Sequence, residues 1–187
     1  MATKTGNETS GCTFQWKIKN ISHCWLKRSE TIDSPRFIAD ALEGTKWSLH
    51  LFPSGNNDGN YFGFYLYREK DCIGPDNFEV NYQLAILDKD SSILIERIVS
   101  KHNFEKFIDF GFDKYEEREK IFVTKREAFL PEDNLTVQCT IWKTEVKPVK
   151  PQQLYARTVF KVKRRNFMWR IDEFSTLKSG LKNKIKD

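Results

Sequence analysis

An all-β fold, an antiparallel sandwich followed by the truncated start of a second copy, is what this 187-residue sequence predicts. Three observations carry that prediction. Short apolar-alternating segments recur with turn signals between them roughly every 8–12 residues, as in antiparallel sandwiches. Helix-period stretches are sparse. And the opening segment returns late in the chain: Phe14-Gln-Trp16-Lys-Ile18-Lys-Asn20-Ile21-Ser22 matches Phe167-Met-Trp169-Arg-Ile171-Asp-Glu173-Phe174-Ser175 at a constant offset of 153 residues. That spacing suits one domain plus a connection rather than a short repeat unit.

Each element follows from its alternation. Phe14, Trp16 and Ile18 fall on every second residue, the period of a half-buried strand. LEGTKWSLHLFPSG sets Trp47, Leu49 and Leu51 on one face and stops at Pro53 and Gly55; His50 shares the other face with Ser48 and Phe52. After the turn cluster 56–60, NYFGFYLYRE places Phe62, Phe64 and Leu66 on one face and Tyr61, Gly63, Tyr65 and Tyr67 on the other. NFEVNYQLAILD alternates Val80, Tyr82, Leu84 and Ile86, and Asp88-Lys-Asp90-Ser turns it into SSILIERIVS as a hairpin. The last long strand is NLTVQCTIWKTEV. CWLKRSE from Cys24 and KYEEREK from Lys114 are expected to form a helical turn or two each. Pro148 and Pro151 make the segment after the last strand an extended linker.

Composition narrows the function. The hydrophobic share of 39% and aromatic share of 14%, with fifteen Phe and five Trp, support a packed core. No apolar run approaches the roughly 18–20 residues of a membrane span, and the polar opening MATKTGNETSGC has no signal-peptide core, so the nucleus or cytoplasm is the expected location. Residues 1–142 hold 18 Lys and Arg against 22 Asp and Glu, whereas 143–187 hold 13 against 4. The body is therefore slightly acidic and the excess positive charge lies in the tail, the opposite of a nucleic-acid-binding core. The basic run Lys161 to Arg165 reads as a charged domain junction ahead of a nuclear-import patch. Cys12, Cys24, Cys72 and Cys139 form no CxxC pair and are expected as free thiols, with no metal and no cofactor.

Catalytic signatures are missing. His23, His50 and His102 have no nucleophile or carboxylate at a recognisable spacing, and no HExxH, GxSxG, GxGxxG or P-loop occurs, so no catalytic residue is assigned. The run Glu116 to Lys120 reads as a solvated charged face. What remains is an aromatic excess, Tyr61, Tyr65 and Tyr67 together with Asp109-Phe110-Gly111-Phe112. Rings displayed on a sandwich offer anchors for a peptide whose backbone pairs with a strand edge; the same rings also fit a core.

Taken together, FQWKIKNIS, TKWSLHLFP, NYFGFYLY, NYQLAILD, DFGF and FLPEDNLTVQC resemble, in order over about residues 12–145, the MATH (TRAF-like, meprin homology) domain. The likeness is greatest to the speckle-type POZ and TD-and-POZ proteins. The resemblance implies an eight-stranded antiparallel sandwich over 12–146, after a disordered terminus 1–11 and before a linker 147–160 and a truncated second MATH copy at 161–187. It also implies a module that binds short Ser/Thr-rich peptides, or degrons, for a cullin-type ubiquitin ligase recruited through a downstream BTB domain. Its peptide-binding residues map onto Tyr61, Tyr82, His102, Asp109, Phe110, Gly111 and Phe112, the last four as a turn. Here Phe110 replaces the family's tryptophan, His102 a tyrosine and Ile108 a lysine, so an altered ligand preference is expected. His102 is further expected to make binding pH-sensitive near its ordinary pKa of about 6.5. Alternatives are a substrate-docking unit of a multidomain enzyme such as a deubiquitinase or meprin-type protease, and a trimeric receptor-tail adaptor. The polar residues before Phe14 hold no coiled-coil heptad for the last of these.

Overall fold

The computed structural model describes residues 11–162. The strands run in chain order as β1 (Gly11–Lys19), β2 (Ile32–Asp33), β3 (Phe37–Ala39), β4 (Thr45–Phe52), β5 (Tyr61–Arg68), β6 (Asn77–Leu87), β7 (Ile93–Glu105), β8 (Asp109–Glu117), β9 (Asn134–Trp142) and β10 (Gln152–Val159). They form two sheets, one ordered β10-β1-β9-β6-β7 and the other β2-β4-β5-β8, with β3 also on β4. The inward rows are the ones alternation assigns: Phe14, Trp16 and Ile18 on β1, Trp47, Leu49 and Leu51 on β4, Phe62, Phe64 and Leu66 on β5, and Val80 to Ile86 on β6 are all buried. Between the sheets, Phe14 stacks on Phe37 with ring centroids 4.2 Å apart, and Phe104 meets Trp47 edge-on at 5.1 Å.

Three expectations change. Residues 24–30 are not helical. KYEEREK remains strand as far as Glu117, and the helical material follows it, as a π-helical turn at Lys120–Thr124 and a short helix at Arg126–Phe129. The proposed linker is the largest correction: residues 152–159 form β10, which lies parallel to β1 with Cys12 opposite Gln152 and Lys19 opposite Val159. Pro148 and Pro151 keep to the crossover before the strand. From Gln152 onward every residue has an amide to donate, and Leu154, Ala156 and Phe160 pack on the core. So β2, β3 and the parallel β10 are added to the expected antiparallel sandwich. β1 starts at Gly11, inside the stretch 1–11 expected to be disordered; residues 1–10 and most of the expected second copy lie outside the described residues.

One buried cation fixes the flank that matters here. The Arg68 guanidinium, fully buried, donates to the carbonyls of Asp76 (2.8 Å), Phe104 (2.8 Å) and Pro75 (2.6 Å) and lies over the Phe78 ring. It ties the β5–β6 connection to the end of β7. Phe107, held at a φ of +69°, then donates its N–H to the Arg68 carbonyl and turns the chain into β8.

Candidate functional site

β7 and β8 end their respective sheets on the same flank of the sandwich, where His102 meets Phe110 and Arg97 meets Tyr115, and the strip between them is the candidate groove. Its floor is Tyr82 and Tyr115, both fully buried. The Tyr115 hydroxyl donates to the Leu84 carbonyl at 2.8 Å, and the Tyr82 hydroxyl donates to the Phe110 carbonyl at 3.3 Å, so each phenol links one sheet to the other. Burial pushes both phenol pKa values up, keeping the hydroxyls as donors. At one end Arg97 reaches across to the Tyr115 carbonyl.

The wall is aromatic. His102 on β7 stacks on Phe110 on β8, centroids 3.9 Å apart and planes at 28°, and His102 also meets Phe104 edge-on at 4.6 Å. Burial holds the His102 imidazole below its ordinary value, which favours the neutral ring. Phe110 remains 41% exposed, and Phe112, half-buried, lies 6.2 Å from the Tyr115 ring.

Among the described residues no strand pairs with the other edge of β8, beside this groove. Arg68 donates its N–H to the Ile108 carbonyl at 3.1 Å, so Ile108 faces β5; by alternation Phe110 and Phe112 do likewise. The amides and carbonyls of Asp109 and Gly111 therefore turn to the open side. Gly111 is required there by crowding: a Cβ at this position would stand 2.3 Å from the Phe64 carbonyl oxygen and 2.5 Å from Tyr65 Cα. β8 consequently lies tight on β5 while its other edge stays open.

On the outer face of the same ribbon, Asp113 accepts hydrogen bonds from the Tyr65 hydroxyl and from Asn57. Burial would raise its carboxyl, but the Tyr65, Asn57 and Asn56 side chains together with the Lys114 charge outweigh it and hold the pKa low. His50 sits between carboxylates, Nδ1 3.6 Å from Asp109 and Nε2 3.9 Å from Asp33, and stacks on Tyr67 at 4.5 Å. Among the described residues no group of three or more His, Cys, Asp or Glu stands ready to hold a metal ion. Cys12 and Cys139 are buried free thiols, and burial pushes the Cys12 thiol up to about 12, so it serves as a small core residue.

The seven residues singled out from the sequence thus separate. His102, Phe110 and Phe112 come together in the groove. Tyr82 is its floor and exposes no surface. Asp109 and Gly111 line the open edge, with their side-chain positions on the outer face. Asp109 to Phe112 is no turn but the first stretch of β8. Tyr61 stands apart at the start of β5, opposite Glu117. It lies five residues, roughly 17 Å, along the strand from the Leu66–Phe110 pair. There it lines an open cleft of about 440 Å³ with Phe122 and Arg118, and the Lys114 ammonium lies 4.9 Å from its ring. Sequence reasoning missed Tyr115 as floor and the pairing of His50 with Asp109; both need contacts between strands distant in sequence.

Two sheets with an aromatic groove beside an open strand define a TRAF-like sandwich of the protein-interaction class. The sequence profile of the MATH domain matches residues 13–141, and the chain belongs to that family. Among similar proteins are two from Mus musculus. TD and POZ domain-containing protein 1-like is 26% identical over 135 residues, and TD and POZ domain-containing protein 4 is 26% identical over 134; each match covers 68% of this chain and 35% of the relative. The chain thus spans about a third of the length of these relatives. TRAF5 of Notothenia coriiceps shares the fold, with a TM-score of 0.53 and 15% identity over 72% of this chain and 75% of that one.

Proposed function

We infer that the chain recognises extended peptides at the β7–β8 flank and performs no chemistry on them. The observation that carries this reading is the open edge of β8, with the Asp109 and Gly111 amides outward, alongside the exposed Phe110–His102 stack. A peptide added as a strand to β8 gains main-chain hydrogen bonds, and every second side chain falls toward the groove where Phe110 and Phe112 take apolar anchors. The smaller Phe110 ring in place of the family's tryptophan, beside the neutral His102, leaves more room in the groove, so its preference among short Ser/Thr-rich motifs differs from the family's. The kinship with TD and POZ proteins supports a role in substrate selection for a cullin-type ubiquitin ligase, through a BTB domain beyond the present chain, in the nucleus or cytoplasm. The repeat beginning at Phe167 supports a second MATH unit after the first.

A peptide-array screen against the full chain, followed by calorimetry on the best binder, tests the reading. Binding that weakens in Phe112→Ala and, in the wild type, shifts the amide resonances of Asp109 and Gly111 is the expected result. A binder that leaves those resonances unmoved removes the groove from the function.

A further inference from the structure

The opposite flank carries a second open edge, and its surroundings are different. Phe160 donates its N–H to the Lys19 carbonyl at 3.1 Å, so the even residues of β10 face β1. By alternation the N–H and C=O groups of Gln153, Tyr155, Arg157 and Val159 point away from β1, and no described strand pairs with them. The Trp16 indole donates to the Thr158 hydroxyl at 3.0 Å, which places the even side chains inward and the odd ones on the outer face. Apart from the charge of Arg157, β10 shows no protection of this edge among the described residues. It is eight residues long, in unbroken register with β1, without an internal proline or bulge, and Tyr155 is 71% exposed.

On the outer face beside this edge the charge is positive, while one carboxylate, Asp40, sits at the start of the strand and accepts from the Gln152 side chain at 3.0 Å. Lys17 lies opposite Arg157 and Lys19 opposite Val159 on the outer face, and Lys161 continues the odd row just past the strand. None of these four cations takes part in an ion pair among the described residues. The adjoining β9 row, Asn134, Thr136 and Gln138, is uncharged. An open row of amides flanked by unpaired cations matches an extended segment with carboxylates on alternate residues. Such a strand sets its acidic side chains against Arg157, Lys17 and Lys161 while its backbone pairs with β10.

We propose that the free edge of β10 is a second peptide-docking site, which takes an acidic extended segment by strand addition, independently of the β7–β8 groove. The test uses the full chain, amide exchange followed by NMR, and a peptide of alternating glutamate and threonine about ten residues long. In the free protein the amides of Tyr155, Arg157 and Val159 are expected to exchange at least about 100-fold faster than those of Leu154, Ala156 and Thr158. Addition of the peptide slows the fast set, whereas the lysine–threonine counterpart leaves it unchanged. Arg157→Pro removes an outward N–H without touching the ladder to β1, and abolishes binding with the melting temperature retained. If that variant melts early, Tyr155→Pro replaces it, and exchange in the wild type reads the pairing without any variant. The triple change Lys17→Gln, Lys19→Gln and Lys161→Gln weakens binding about fivefold. Three results overturn the proposal: outward amides already protected in the free protein, equal binding of the lysine peptide, or an oligothymidylate that occupies the cations while the outward amides keep exchanging.

Discussion

The two flanks of the sandwich end in the same backbone feature and differ in everything around it. At β8 the open edge borders an apolar groove whose floor hydroxyls stitch the sheets together, and Gly111 lets the strand crowd its neighbour. At β10 the open edge borders cations, and the strand is held on β1 by ladder bonds, by the packing of Leu154, Ala156 and Phe160, and by the indole–hydroxyl bond of Trp16 and Thr158. Unpaired amides alone do not choose a partner; the side chains beside them do. One edge is suited to apolar anchors and the other to carboxylates.

The comparison can be broken most severely at Gly111. Gly111→Val must force β8 away from the Phe64 carbonyl, with an expected loss of about 3 kcal/mol of stability, measurable by urea denaturation, while exchange at β10 stays as it was. Phe112→Ala leaves the fold in place and should weaken peptide binding at the groove by about 1–4 kcal/mol, seen by calorimetry; unchanged affinity would show that the ring is no anchor. Thr158→Val strands the indole N–H of the buried Trp16 and should cost about 1–2 kcal/mol, felt first as faster exchange of the even β10 amides. If the melting temperature and that exchange both stay put, the indole–hydroxyl bond does not help hold β10 in place.

The smallest effect expected is that of pH on the groove. Burial lowers the His102 pKa in the folded protein, so the fold favours the neutral ring. As the pH falls below the ordinary value of about 6.5, the unfolded chain takes up the proton first, and this contribution to stability is lost progressively down to the depressed folded value. Peptide affinity at the groove should drop about threefold between neutral and mildly acidic pH, and His102→Asn should flatten the profile. Binding at β10 should not follow His102, which lies on the other edge strand of that sheet.

The core was legible from the sequence because alternation reports burial directly. Trp16, Trp47, Phe64 and Leu84 are each placed correctly by a period of two, and the Asp88 turn by its composition. At Tyr82 alternation gives the inward face correctly, but neither it nor the family pattern says whether the ring reaches the surface, and the ring is fully buried. Local pattern fails at residues 152–159. Two prolines nearby suggested a free linker, yet neither lies within the strand, and β10 exists because the edge of β1, over 130 residues earlier in the chain, offers it a ladder.

By itself, then, the sequence determined which side chains face inward, where the opening strand recurs, and that the body is acidic while the tail is basic; these are local or additive properties. Tertiary structure alone decided which strands end each sheet, that His102 meets Phe110, that His50 lies beside Asp109, and that Arg157 stands next to Lys17. Those outcomes depend on sheet order, and sheet order is set by pairings between distant segments that no local pattern encodes. The open edges on which both proposed binding sites rest belong to that second kind.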